Sequence, residues 1–334
     1  MRHVTINDLA RRLKLSASTV SRALRDHPDI SRETKRRVLE IAAQTNYQPN
    51  LIAQSLQTSR SNNIGVIVPE IRNSFFATVI SGIEDLAYEA GYTIMVCQSN
   101  DTYERETINT RALAANRVAG MLVSTSQETD RFEHLKQVIG QGVPIVLFDR
   151  VVEEIDVPRV VVDDYNGAYR AVSHLIDTGR RRIAHLTSAD SLYVGRKRRE
   201  GYEAALRDHG LPIVPEYIIR GGCHEEDGRR GAQQLLEMEE LPDGLFAIND
   251  PVALGALLYF LDHQIRIPEQ IGLVGFSDNP NATLVRPALT TVSQPAYEIG
   301  KTAASILLDI LHGRSGKKGM TIMLETSLVI RGST

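Results

Sequence analysis

Between Val4 and Leu24 the chain carries two short amphipathic segments separated by a break too small for an ordinary loop, and few architectures accept that arrangement. The segment opens Thr5-Ile-Asn-Asp8, where the Thr5 oxygen can accept from the first free helical N–H groups. Asp8, three residues on, supplies a weaker form of the capping box. Ile6, Leu9, Ala10 and Leu13 then recur at i, i+3, i+4 and i+7, the spacing of one apolar helical face. Lys14-Leu15 interrupts the run. Ser16 caps a second helix, Ala17 to Leu24, with Val20, Ala23 and Leu24 inward and small polar residues plus Arg22 outward. A third helix starts at the cap Ser31 and buries Val38, Ile41 and Ala42, closing a three-helix core. Two short helices joined by a tight turn make a helix-turn-helix.

Val4-Thr-Ile-Asn-Asp-Leu-Ala10, Leu15-Ser-Ala-Ser-Thr-Val-Ser-Arg22 and Asn46-Tyr-Gln-Pro-Asn50 together resemble the signature of the LacI/GalR family of bacterial transcription regulators. The continuation Asn50-Leu-Ile-Ala-Gln-Ser-Leu56 is similar to that family's hinge helix, and the likeness extends over the whole chain. The resemblance implies a headpiece over residues 1–48, a hinge helix and linker over 49–62, and an effector-binding and dimerisation domain over 63–334. It implies base or phosphate contacts from Thr5, Ser16, Ala17, Ser18, Ser21, Arg22 and Asn50. Ala53 flanks the hinge leucine, and paired Leu56 side chains would wedge into a central step through the minor groove. The Arg22 fork can reach two acceptors on a guanine or clamp a phosphate. Ala17 can at most touch a thymine methyl, and the hydroxyl contacts position the protein without specifying sequence.

The formal net charge of −3 hides an asymmetry. Residues 1–60 hold 11 Lys+Arg against 5 Asp+Glu, leaving 27 against 36 for the other 274. A basic head on an acidic body fits polyanion binding confined to one end, or a solvated basic helix surface. Cys97 and Cys223 are the only cysteines, too few for a disulfide framework. No apolar run reaches the roughly 18–20 residues of a membrane helix, and Met1-Arg-His-Val-Thr5 leads straight into the first helix. The expectation is a cytoplasmic protein without a membrane partner.

From Ile64 the rhythm changes to apolar strands alternating with helices. Strands are expected at Ile64–Pro69, Thr93–Cys97, Gly120–Ser124 and Pro144–Asp149. A second series follows at Val160–Asp163, Arg182–Thr187, Glu216–Arg220, Leu245–Asn249 and Ile271–Phe276. This spacing calls for parallel, doubly wound α/β sheets. The resemblance implies a two-lobed, periplasmic-binding-protein-like body. Its first lobe would cover about 63–161 and 293–322, and its second 162–292 and 323–334. Ligands in open parallel sheets settle at the carboxyl ends of strands, so an interlobe cleft is the expected effector site.

Candidate effector residues follow from those strand ends and from the resemblance. Phe75 and Phe76 can stack on a sugar or base ring, or pack in the core. Ser124 and Ser126 end the third strand, and Asp149 and Arg150 the fourth, where they can bind ligand or pair the lobes. Asp163, Arg198 and Cys223 match effector positions of the family. Asn249, at a strand end, can both donate and accept. Where many relatives read Gly-Phe-Asp-Asp this chain has Gly275-Phe-Ser-Asp278, which leaves Ser277 or Asp278 as the contact.

The chain holds no Gly-x-x-x-x-Gly-Lys-Ser/Thr, Gly-x-Gly-x-x-Gly or His-Glu-x-x-His motif. Gly275-Phe-Ser-Asp-Asn279 fails the nucleophile-elbow pattern at its last position. His224-Glu-Glu-Asp227 sits at a helix start, where acidic residues suit the dipole better than they make a metal site. The reading is a regulator rather than an enzyme, with no cofactor and no metal. It acts as a homodimer on a palindromic operator in double-stranded DNA, most simply as a repressor, under a sugar or sugar-acid effector. The rival is a solute-binding protein of a sugar transport system, which the body alone would support.

Overall fold

A computed structural model describes residues 4–24, 26–45, 47, 61–314 and 319–334. It divides into two compact units, residues 1–61 and 62–334.

In the first unit α1 (Ile6–Leu13), α2 (Ala17–Leu24) and α3 (Arg32–Gln44) form a small three-helix core. Each start is set by a side chain. Asp8 N–H donates to Thr5 Oγ1 at 3.3 Å while Thr5 N–H donates to Asp8 Oδ2 at 3.0 Å, closing the capping box. Thr19 N–H donates to Ser16 Oγ at 3.1 Å and Thr34 N–H to Ser31 Oγ at 3.2 Å. Lys14 ends α1 in the left-handed conformation, which reverses the chain within two residues. Leu9, Ala10, Leu13, Val20, Ala23 and Val38 are buried, with Leu24, Ile41, Ala42 and Tyr47 packed around them. The hinge and linker, including Asn50, Ala53 and Leu56, lie outside the described residues.

The second unit contains two six-stranded sheets. The first orders β11 (Thr321–Leu324), β5 (Arg159–Val162), β4 (Ile145–Phe148), β3 (Gly120–Val123), β1 (Asn63–Val68) and β2 (Thr93–Gln98), all parallel. The second orders β12 (Ser327–Val329), β10 (Thr290–Ser293), β9 (Gly272–Ser277), β8 (Gly244–Ala247), β6 (Ile183–Thr187) and β7 (Ile218–Arg220). Only β12 runs antiparallel there. Helices α4 (Ser74–Glu89), α5 (Tyr103–Ala115), α6 (Glu133–Gly140) and α11 (Ala296–Leu311) serve the first sheet. Helices α7 (Asp164–Asp177), α8 (Tyr193–Asp208), α9 (Glu225–Leu236) and α10 (Asp250–Asp262) serve the second. Continuous apolar strands buried on both faces, such as Ile145–Phe148 and Gly244–Ala247, are what parallel sheets covered by helices require.

Two expectations about lobe boundaries need correction. The strand expected at Val160–Asp163, grouped with the second series, pairs with β4 and β11 in the first sheet. β11 also stays in the first sheet to Leu324, beyond the boundary set at 322, so the last crossing lies between Leu324 and Ser327. Adjacent alternating strands carry no label of which sheet they join. Crossings fall after β5, after β10 and between β11 and β12, which leaves the two lobes hinged by three strands of chain.

Close helix approach on each lobe depends on glycine. A Cβ on Gly82 of α4 would lie 2.1 Å from the Tyr297 carbonyl oxygen of α11, and one on Gly300 of α11 would lie 2.0 Å from the Val79 oxygen. Backbone there meets backbone, and neither side can yield like a flexible side chain. Gly82→Ala is expected to force the pair apart and cost about 1–3 kcal/mol, measured by urea unfolding. Gly140→Ala, with nothing within 4 Å of the new carbon, serves as the neutral control.

Candidate functional site

On the first unit, the exposed side of α2 presents Ser18 and Arg22, with Ser21 half-buried beside them. Ser16 is exposed at the helix start, its oxygen within 2.8 Å of the hydroxyls of both Ser18 and Thr19. Thr5 Oγ1 donates to Asp8 Oδ2 at 2.7 Å, so this exposed hydroxyl is engaged in capping. Ala17 does not stand clear in solvent as expected; it packs partly against the headpiece core, because position 17 lies on the edge of the face that carries Val20 and Leu24. The Arg22 guanidinium is the exposed multi-donor group of this helix.

On the second unit, a pocket opens between the lobes at the carboxyl ends of their strands. Asn73, Phe75, Phe76, Asp149 and Arg150 line it from one lobe. Val194, Arg198, Cys223, Ile248, Asn249 and Ser277 line it from the other, with Gln294 at a crossing. Each wall is built around a buried arginine. Arg198, 3% exposed, donates from Nε to Asp164 Oδ1 at 2.8 Å and from Nη1 to the Ile248 carbonyl at 2.6 Å. Its guanidinium carbon lies over the Phe276 ring, 3.7 Å from the centroid. In the facing wall Arg150 pairs with Asp101 and sits 5.7 Å from the Phe76 centroid. Phe75 and Phe76 meet edge to face at 5.2 Å, so both rings are core residues of the first lobe and lining of the pocket at once.

The backbone at the strand ends is unusual. Asp149, Ser277 and Asp278 adopt φ of 57°, 132° and 57°, the left-handed region that L side chains avoid. Such conformations persist where the surroundings over-determine them, and they gather at ligand sites. Burial pushes the Asp149 carboxyl up to about 6, against the lowering pull of Arg150 and Arg198. The Cys223 thiol, also buried in the pocket, is pushed up to about 11, which leaves it a neutral, small apolar surface near pH 7. Asn249 uses its amide to build the wall: Oδ1 accepts from Val252 N–H at the start of α10, and Nδ2 donates to the Cys223 carbonyl, both at 2.9 Å.

Four sequence expectations are relocated. Asp163 caps α7, accepting from Asn166 N–H at 3.1 Å and Asn166 Nδ2 at 2.7 Å, and does not line the pocket. Its neighbour Asp164 is the buried acid, because β5 ends at Val162 and helical phase then turns the second aspartate inward. Ser124 and Ser126 are fully buried and do not line the pocket. Ser126 donates from N–H to Glu106 and from Oγ to Ser99 Oγ at 2.7 Å, while Glu106 also holds His134 Nε2 at 2.8 Å. Asp278 faces Arg331, whose Nη2 donates to it at 2.6 Å, whereas Ser277 lines the pocket and accepts from Gln294 Nε2 at 3.1 Å.

Sequence reasoning missed Asp164, Asp101 and Gln294. Gln294 sits alone in Ser-Gln-Pro after β10, with no motif to mark it. His224, at the start of α9, faces the other lobe, with Nδ1 3.4 Å from Glu70 and Nε2 3.5 Å from Asp101. The Asp101 partner raises its pKa, so this contact across the mouth gains strength when the ring is protonated. Stability separates the adjacent aspartates. Asp163→Ala removes a cap and should cost about 1 kcal/mol. Asp164→Ala strands the buried Arg198 charge and should cost about 3–5 kcal/mol in the same urea titration.

Known proteins share this arrangement. Residues 5–50 match the family of bacterial regulatory proteins, lacI family, and residues 172–334 match the periplasmic binding protein-like domain. The chain is 32% identical over 332 residues to the HTH-type transcriptional repressor CytR of Escherichia coli (strain K12), covering 99% of this chain and 96% of that protein. The Lac repressor dimer bound to operator and the anti-inducer ONPF superposes with a TM-score of 0.86 at 25% identity, covering 99% of each chain. A transcriptional regulator CelR–cellobiose complex gives a TM-score of 0.76 at 26% identity, over 99% of this chain and 100% of that one. A capped helix-turn-helix ahead of a two-lobed body, matched along nearly its whole length to a transcriptional repressor, has one reading: the chain belongs to the LacI family of DNA-binding transcriptional regulators.

Proposed function

We propose that this protein is an effector-controlled repressor, in which a homodimer reads a palindromic operator and a small carbohydrate bound between the lobes changes operator affinity. The observation that carries the reading is the pocket itself. It joins charged, amide and aromatic side chains from two lobes between which the chain crosses three times. A ligand touching both walls favours one lobe arrangement over another, which is the requirement for a two-state element shared by distant sites. The cellobiose complex of a full-length structural relative supports a carbohydrate. The repressor reading is supported by the CytR likeness and by the operator complex of the Lac repressor.

The direct test is selection of bound duplexes from a random DNA pool, with and without a mixed carbohydrate supplement. Enrichment of a palindrome, changed by the supplement, is the expected result. Failure to enrich any sequence from folded, dimeric protein would remove the operator-reading function.

Two substitutions sharpen it. Arg22→Ala should weaken operator binding by about tenfold to a hundredfold and relax the preference at one base pair per half-site, the loss expected when a bidentate base contact goes. Uniform weakening across sequences would instead place Arg22 on a phosphate. Leu56→Ala should weaken operator binding while leaving ligand affinity unchanged. Equal loss of both, read by calorimetry and by gel shift, would point to misfolding.

A further inference from the structure

The two lobes meet in few charged contacts. Among the described residues these are Arg196 with Glu153 and His224 with Glu70 and Asp101. The first keeps its charges near neutral pH, because a guanidinium does not give up its proton there. The second contains a group that does. His224 stands at the start of α9 on the second lobe, where its backbone N–H donates to Asp227 Oδ2 at 2.9 Å and Asp227 is itself paired with Arg230. Its ring reaches the first lobe. Nδ1 lies 3.4 Å from Glu70 Oε2, just past β1, and Nε2 lies 3.5 Å from Asp101 Oδ2, in the loop after β2.

Both ring nitrogens therefore face a carboxylate oxygen of the opposite lobe. A neutral imidazole carries one N–H and one lone pair, so one of the two contacts would set lone pair against lone pair. Only the doubly protonated ring can donate to both. Asp101 does not supply the missing proton: burial raises its pKa, but Arg150 above all, with His224 and the Gln127 N–H, holds it below the usual carboxylate range. The proton that completes the contact sits on His224.

We propose that His224 is a proton-operated latch across the mouth of the cleft, which holds the lobes in the present arrangement when its ring is doubly protonated and releases them when the ring is neutral. Resting on the reading that lobe arrangement sets operator affinity, the latch makes DNA binding respond to pH independently of any effector.

The sign follows from linkage. In the engaged ring Asp101 raises the pKa most, against the lowering effect of partial burial, and Glu70 and Asp227 add to it. Arg72, Glu225 and Glu226 also border the mouth, while Arg150 is taken up by Asp101. When the lobes part, the ring leaves both carboxylates of the first lobe and returns toward its ordinary value of about 6.5. The engaged arrangement is thus stabilised in full below about pH 6.5, and the gain is lost as pH rises through the higher engaged value. Two partly exposed pairs amount to roughly threefold to tenfold in the lobe equilibrium. The buried Asp149 and Asp250 titrate at about 6. The effect is therefore assigned with His224→Gln, which removes the titrating ring and keeps the backbone N–H that Asp227 holds.

Two measurements on the full chain test the latch. In the first, the imidazole signals of the nine histidines are followed by nuclear magnetic resonance from about pH 5.5 to about pH 8.5, and the one absent from His224→Gln identifies the ring. We expect its midpoint above about 6.5 and lowered in Glu70→Gln. A midpoint at the ordinary value, or one that Glu70→Gln leaves unmoved, would overturn the latch and leave the repressor reading standing. In the second, gel shifts with the duplex selected from the random pool compare the unaltered protein with His224→Gln over the same range. The ratio of their affinities should change roughly threefold to tenfold between its ends. A constant ratio would overturn the latch as a control on DNA binding. Failure of the pool to yield any operator would remove the repressor reading, and the imidazole titration would still decide the latch.

Discussion

The cleft depends on one buried ion pair. Removing Arg198 and Asp164 from water costs several kcal/mol per ion, and their attraction offsets this only where the geometry leaves few donors idle. Here Nε and Nη2 both meet Asp164, Nη1 meets the Ile248 carbonyl, and the guanidinium face lies on Phe276. A planar fork is suited to that combination in a way that a lysine ammonium is not. The pair consequently ties together the start of α7, the body of α8, the end of β8 and the end of β9. These pieces make one wall of the pocket.

The other wall repeats the device with different parts. Arg150, at the end of β4, reaches Asp101 in the loop after β2 and lies near Phe76 of α4. Asp101 also accepts from Gln127 N–H at 2.9 Å, so the loops after β2 and β3 are drawn to the same carboxylate. Two rigid walls, each locked by its own arginine, face each other with weaker links between them. These are His224 with Glu70 and Asp101, and Arg196 with Glu153. The ion pairs within each lobe are buried, whereas those between the lobes are partly exposed and correspondingly weaker. Asp149 lines the pocket there, its carboxyl pushed up by burial against the pull of Arg150 and Arg198.

The headpiece achieves its order by other means. It is too small to bury a large core, so local devices matter more: three side-chain caps start its helices, and a left-handed residue, Lys14, ends the first where the turn needs it. Those devices leave the outward side of α2 free of structural duty except at Ala17, whose edge position draws it partly into the core. The chain thus separates a surface that can vary with DNA sequence from a face that cannot vary without unfolding.

Local rules make much of this legible in the residues themselves. Caps at Thr5, Ser16 and Ser31, the apolar spacing of α1, and the alternation of strands and helices after Ile64 all rest on interactions within four residues or on a repeating period. The sequence alone therefore determined the helix-turn-helix, the class of the body and the strand ends where Asp149, Asn249 and Ser277 lie. Tertiary structure decided what those ends do. Which sheet β5 joins, why Asp164 and not Asp163 holds Arg198, why Ser126 serves Glu106, and why Asp278 turns to Arg331 while Gln294 reaches Ser277 all depend on partners far apart in sequence. A side chain's type states what it can bond, but only the packing of distant strand ends states which partner it meets.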